Sequence, residues 1–311
     1  MKKSIFLIIV IISVFISTSA QKHPLPEVDP EQKKELMEYV VNHYMTPENY
    51  IINKFKDHDV VIVGETHRLK HDVELIQQLI PKLYENGVFI LATEFARRED
   101  QHLIDSLLNN NIYDQLLAEK ITLLQFVHWG YKEYVDIYKA AWQWNKNLDE
   151  GKRKFRILAL GDSPDWSLIK SQEDRDNPEI KRKVWRGGGE NLWAKVILDE
   201  VVDKGEKALV YCGIHHGFTE YNQPIYDFNN QKFVRFVINR MGNYIYKEIG
   251  KRAITIYLHA PWISAEGWDK PSVYPVDGQS ITFVDLRYSS ITDGFISGSG
   301  TFSTAPPDLD S

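Results

Sequence analysis

The strongest constraint on this chain is a series of short, almost wholly apolar runs, each followed by a helix-like stretch. Residues 59–63 (Asp-Val-Val-Ile-Val) end at Gly64, and residues 88–93 follow an Asn86-Gly87 turn signal. Residues 155–160 close on Gly161, residues 208–212 on Gly213, and residues 253–258 and 281–286 supply a fifth and a sixth run. These runs do not alternate apolar with polar, so they predict strands buried on both faces. Between the first two, Val73, Ile76, Ile80 and Leu83 recur at spacings of three and four, which is one buried face of a helix. Further helices are predicted over residues 31–44, 47–55, 97–118, 131–147 and 190–202. Buried strands alternating with amphipathic helices imply an α/β fold, a doubly wound and mainly parallel sheet with helices on both faces.

The flanks predict where such a domain works. Lys2 and Lys3, an apolar run over residues 5–16, and Thr18-Ser19-Ala20 before Gln21 read as a cleavable export signal over residues 1–20. A periplasmic or secreted protein is therefore expected. The apolar run is short for a span, and no cysteine follows it to accept a lipid, so no stable membrane anchor is expected. The single cysteine, Cys212, rules out an internal disulfide framework and reads as a core residue. The 43 acidic and 37 basic residues give a net charge of −6, which offers nucleic acid no electrostatic footing. One α/β domain is expected over residues 21–287, with an aromatic-rich insertion at about 218–250 and a flexible tail over 288–311.

Parallel sheets bind ligands at the carboxyl ends of their strands, and those ends carry chemistry here. The first run leads into Gly64-Glu65-Thr66-His67, the second into Glu94, the third into Asp162, the fourth into His215-His216 and the fifth into His259. Imidazoles and carboxylates hold divalent transition metals (Mn, Zn, Co or Fe) and also perform general acid–base catalysis. Glu65, His67, Glu94 and one histidine of the His215-His216 pair are the catalytic candidates, with His67, Glu94 and that histidine as candidate metal ligands. His71 shares a face with His67 if a helix starts near Thr66. His71, Asp162, His259 and the other histidine of the pair are secondary candidates. Glu65 has a plain alternative as a helix cap, and Glu94 one as an ion-pair partner of Arg97 or Arg98. The polar stretch after Asp162 and the aromatic insertion are placed to wall a pocket. The Gly187-Gly188-Gly189 triplet lacks the Lys-Ser/Thr of a phosphate loop, and no Gly-x-Ser-x-Gly elbow exists for a serine hydrolase.

A repeated Gly-x-x-His, at Gly64–His67 and Gly213–His216, follows two of the strands. With the stretch VVIVGETHRLKHDVELIQQLIPKLYENGVFILATEF (residues 60–95) and ALVYCGIHHGF (residues 208–218), it resembles the superfamily joining erythromycin-esterase-like enzymes, ChaN-like haem-uptake proteins and TIKI/TraB metalloproteases. The resemblance implies a site built from Glu65, His67, Glu94 and His216, with His216 as the member of its pair that faces inward. It further implies a hydrolase acting on an ester or amide of a small molecule or peptide, metal-assisted as in TIKI-like members. The alternative it carries is haem or iron-compound binding of the ChaN type, for which Tyr221, Tyr226, Tyr244 and Tyr246 are available ligands, or an inactive member of the family.

Overall fold

The computed structural model describes residues 29–126, 129–185, 189–227 and 232–258. The signal segment, His259, the expected sixth strand and the tail lie outside the described residues.

Five strands form the expected parallel sheet: β1 (Val60–Glu65), β2 (Ile90–Arg97), β3 (Arg156–Gly161), β4 (Ala208–Gly213) and β7 (Ala253–Tyr257). Their spatial order is β3-β2-β4-β1-β7, so β4 lies between the two strands that carry Glu65 and Glu94. The period of two assigns side chains to faces. Val61, Val63, Leu91, Leu209 and Tyr211 join one core with α2 (Pro47–Lys54), α3 (Lys70–Glu85), α4 (Gln101–Asn109), α5 (Gln115–Gln125) and α6 (Lys132–Lys146). Val60, Ile62, Ile90, Ala92, Val210 and Cys212 join the opposite core with α9 (Glu190–Ile197) and α10 (Met241–Ile249). Both faces are covered, as the apolar runs require.

Three expectations change. The helix predicted over residues 97–118 is two helices, because the Asn109-Asn110-Asn111 run interrupts it and Asp114 caps a new start, accepting from the Leu117 amide at 3.0 Å. α3 begins at Lys70 rather than near Thr66, since Arg68 takes φ 71°, the left-handed region, and breaks the turn after β1. The insertion over 218–250 contributes an antiparallel hairpin, β5 (Gln223–Asp227) with β6 (Lys232–Val237), and then α10. The remaining α-helices among the described residues are α1 (Pro30–His43), α7 (Gln172–Asp176) and α8 (Pro178–Val184). No helix among the described residues is long and apolar enough to cross a membrane.

Candidate active site

Glu65 is the last residue of β1 and is buried. A buried carboxylate needs donors, and the neighbouring elements supply three. Tyr134 of α6 donates its hydroxyl to Oε1 at 2.6 Å, His67 approaches the same oxygen through Nδ1 at 2.8 Å, and the Tyr211 hydroxyl donates to Oε2. Tyr134 in turn accepts the Arg68 amide at 3.1 Å, which ties the left-handed turn to the site. Glu65 is thus an anchor for the His67 ring and not a helix cap. Held at Nδ1, His67 turns Nε2 toward Glu94 Oε1, 3.8 Å away. The ring packs against Trp129 at 4.6 Å between centroids and edge-on to Phe95 at 6.0 Å.

Glu94 reaches the site through an irregularity in β2. The register with β3 shifts between Thr93 and Arg97, a bulge that re-aims side chains. Gly161 of β3 accommodates it: a Cβ there would lie 2.4 Å from the Glu94 carbonyl oxygen and 2.6 Å from that of Ala96. The Glu94 side chain is buried, and burial drives its carboxyl above the ordinary 4.5, while His216 and His67 pull it only part of the way back. Arg97 and Arg98 are not its partners. Arg97 binds Asp100, and Arg98 binds Asp162 at 3.0 Å.

His216 lies in the turn after β4 and repeats the arrangement of His67. Its Nδ1 is held at 2.9 Å by Glu190, and its Nε2 faces Glu94 Oε2 at 3.2 Å. That Oε2 contact is an ion pair without hydrogen-bond alignment, so the oxygen has no hydrogen-bonding partner among the described residues. Burial pulls the His216 pKa down, but Glu94 and Glu190 outweigh it and hold the imidazole above its ordinary 6.5. Glu190 is pushed up by burial and pulled further down by His216, Arg240 and the Met241 amide, so it stays a carboxylate. The result is one chain of alternating groups, Glu65–His67–Glu94–His216–Glu190.

The secondary candidates separate from it. His71 is exposed on the first turn of α3 and pairs with Asp72 at 3.2 Å. Asp162 accepts from Arg98 and from the Trp193 indole at 3.1 Å, a structural pairing. His215 turns away to Gln223, which Arg240 also binds at 2.7 Å. His259 lies outside the described residues. Tyr221 is exposed, whereas Tyr244 and Tyr246 pack against the second core. Glu190 was not singled out in the sequence, where it reads as the opening residue of a helix. The Gly triplet before it was its only local signal.

The expected metal triad has no support in this arrangement, in which the two imidazoles address different oxygens of Glu94. Among the described residues no group of three or more His, Cys, Asp or Glu side chains is arranged to hold a metal ion.

Comparison with known proteins agrees with the fold. Residues 51–148 match the family described as haem-binding uptake, Tiki superfamily, ChaN. A structural-genomics protein from Bacillus cereus superposes with a TM-score of 0.50 at 14% identity, covering 84% of this chain and 88% of that one. ChaN of Campylobacter jejuni, described with cofacially bound haem, gives 0.44 at 13% identity over 74% of this chain and 94% of that one. A bacterial protein toxin gives 0.42 at 15% identity over 81% of this chain, which spans only 41% of the toxin. No curated protein matches in sequence.

Proposed function

We propose that this chain, a ChaN/Tiki superfamily member through residues 51–148, is an exported hydrolase that cleaves an ester or amide by paired imidazole catalysis. The observation that carries the reading is the alternating chain, in which each imidazole has Nδ1 on a carboxylate and Nε2 toward Glu94. A carboxylate at Nδ1 fixes the tautomer and leaves Nε2 for proton transfer, as in hydrolytic triads. His67 is the more open of the two rings, with its side chain 36% exposed, and its Nε2 is the base that takes a proton from water. His216, held above its ordinary pKa, starts protonated and gives its Nε2 proton to the leaving group. Glu94, with its pKa raised, returns the proton from His67 to His216 and resets both rings. No step needs a metal. The test is an ester and peptide panel on the purified protein with His67→Ala and His216→Ala beside it. Turnover that persists in both variants overturns the reading.

Haem binding is a second reading, favoured by the description of the family that residues 51–148 match. Titration with haemin, followed by absorbance, tests it. A Soret shift saturating at one or two equivalents supports it, and a spectrum that is only the sum of free haemin and protein opposes it.

A further inference from the structure

The aromatic side chains beyond His67 form a continuous wall, rooted in the first core through Trp129 and running outward from it. Trp129 rests against His67 at 4.6 Å and against Phe126 at 5.7 Å. Phe126 stacks on Trp166 at 5.3 Å with the planes 14° apart, and meets Trp185 edge-on at 5.8 Å. Trp166 and Trp185 cross at 5.5 Å and 76°. These rings come from two separate connections, the α5–α6 loop and the stretch after β3. The second is pinned by the Asp165 amide donating to the Val184 carbonyl at 2.6 Å. Fixed rings drawn from two loops form a built surface. Yet its outer end stays wet: Trp166 is 39% exposed and Leu168 beside it 36%. A stack of this size ending in a partly exposed indole and a neighbouring leucine has apolar surface left to cover.

We propose that Trp166, Trp185, Phe126 and Trp129 are the substrate-binding subsite for a ring with a flat apolar face. Its ester or amide link would lie over His67. The inference rests on the hydrolase reading for the position of that link, and on the wall alone for the ring. Two features define the class. Indole faces stack on flat apolar faces, whether aromatic or the C–H face of a sugar, and offer little to an acyclic chain. At the other end Glu65 is engaged by Tyr134, Tyr211 and His67, and Glu190 by His216, Arg240 and the Met241 amide, so neither is left as a free charge to select an ionic substrate.

Hydrolysis of 1-naphthyl acetate is compared with that of ethyl acetate, for the parent and the double variant Trp166→Leu/Trp185→Leu. In parallel, 1-naphthol and methyl glucoside are titrated calorimetrically into His67→Ala protein with and without the two tryptophans. The expected result is a KM for the naphthyl ester raised about tenfold in the double variant, with kcat and the ethyl ester unchanged. His67→Ala should still bind one of the two rings and lose it with the tryptophans. Naphthol binding shows an aromatic ring and glucoside binding a sugar. Ring binding without turnover would retain the subsite and sink the hydrolase reading. Turnover with no ring binding, or with equal KM in both proteins, overturns the subsite. Trp166→Phe/Trp185→Phe should restore the parent KM, which a merely misfolded variant would not.

Discussion

Gly213 lies directly beneath the His67 ring: a Cβ at this position would stand 2.5 Å from His67 Cε1 and 2.8 Å from Nε2. The glycine of the second Gly-x-x-His motif therefore makes room for the histidine of the first. The two motifs are halves of one site, joined across the β1–β4 pairing that sets Glu65 beside Gly213.

Gly213→Ala tests that relation. The obstacle is a side chain and not backbone, and Glu65 keeps its two tyrosine donors if the His67 ring is pushed off it, so the fold should tolerate the change. The base cannot, because displacement by about 1 Å costs on the order of a hundredfold in rate. We expect ester turnover to fall about a hundredfold while the melting temperature stays close to the parent. Undiminished turnover would show that the observed His67 position is not the working one.

Glu190→Gln addresses the proton on His216. The neutral amide removes one of the two carboxylates that hold this imidazole up, so its pKa should fall. A raised histidine stabilises the fold fully below its unfolded value of 6.5, and that contribution disappears as pH climbs through the higher folded value. The alkaline limb of catalysis follows the same group, which must hold its proton to act as the acid. In Glu190→Gln the alkaline loss of kcat should shift to lower pH, and the stability gained by acidifying from pH 8 toward 6.5 should shrink. The His216 titration by NMR, together with the pH–rate profile, checks both. An unmoved alkaline limb would remove His216 from the role of acid.

Much of this arrangement was legible in the sequence. The apolar runs predicted the parallel sheet because strands buried on both faces leave a period-free signature, and the exits of those strands gave Glu65, His67, Glu94 and the His215-His216 pair, of which the repeated Gly-x-x-His of the family resemblance selected His216. What the sequence hid was long-range. Glu190 opens a helix and meets His216 only because α9 and α10 pack on one face. The tyrosines that hold Glu65 come from β4 and α6, and nothing local marks Tyr211 or Tyr134 as other than core residues. Asp162 looked like its neighbours at the strand exits, but its partner Arg98 lies 64 residues earlier. The helix assumed to start near Thr66 failed at a single backbone torsion, that of Arg68.

Chelation separates imidazole catalysis from metal assistance. If catalysis runs on the paired imidazoles, each set against one oxygen of Glu94, prolonged treatment with EDTA should leave turnover and melting temperature unchanged. Elemental analysis should find less than about a tenth of an equivalent of Mn, Zn, Co or Fe per chain, against the near-stoichiometric metal that a structural or catalytic site retains. Activity lost to the chelator and restored by one of these ions would overturn the metal-free mechanism.

Asp162→Asn should behave as a structural change. The carboxylate is held by Arg98 and the Trp193 indole, and meets the alternating chain only through that indole, which packs on His216. Its loss strips Arg98 of a charge partner and should cost about 1–3 kcal/mol of stability. Urea denaturation reads that cost, and kcat per folded molecule should match the parent. A variant that melts normally but no longer turns over would return Asp162 to the catalytic set.

Glu94→Gln should show the opposite signature. The substitution is nearly isosteric and removes a buried charge whose Oε2 has no hydrogen-bonding partner among the described residues. Its raised pKa records that the folded protein disfavours the ionised form. The neutral amide relieves that burden, although His216 loses one of the groups that hold its proton. Sites of this kind are held at some expense in stability, so the melting temperature should stay level or rise. Turnover should fall at least about a hundredfold, because an amide cannot carry the proton from His67 back to His216. Calorimetric melting and single-turnover kinetics on the same preparation give both readings. If Glu94 were instead a structural ion pair between two imidazoles, removing it would strand them and cost about 3–5 kcal/mol. A variant that melts far below the parent yet turns over normally per folded molecule would leave the fold intact as a conclusion and remove the catalytic assignment.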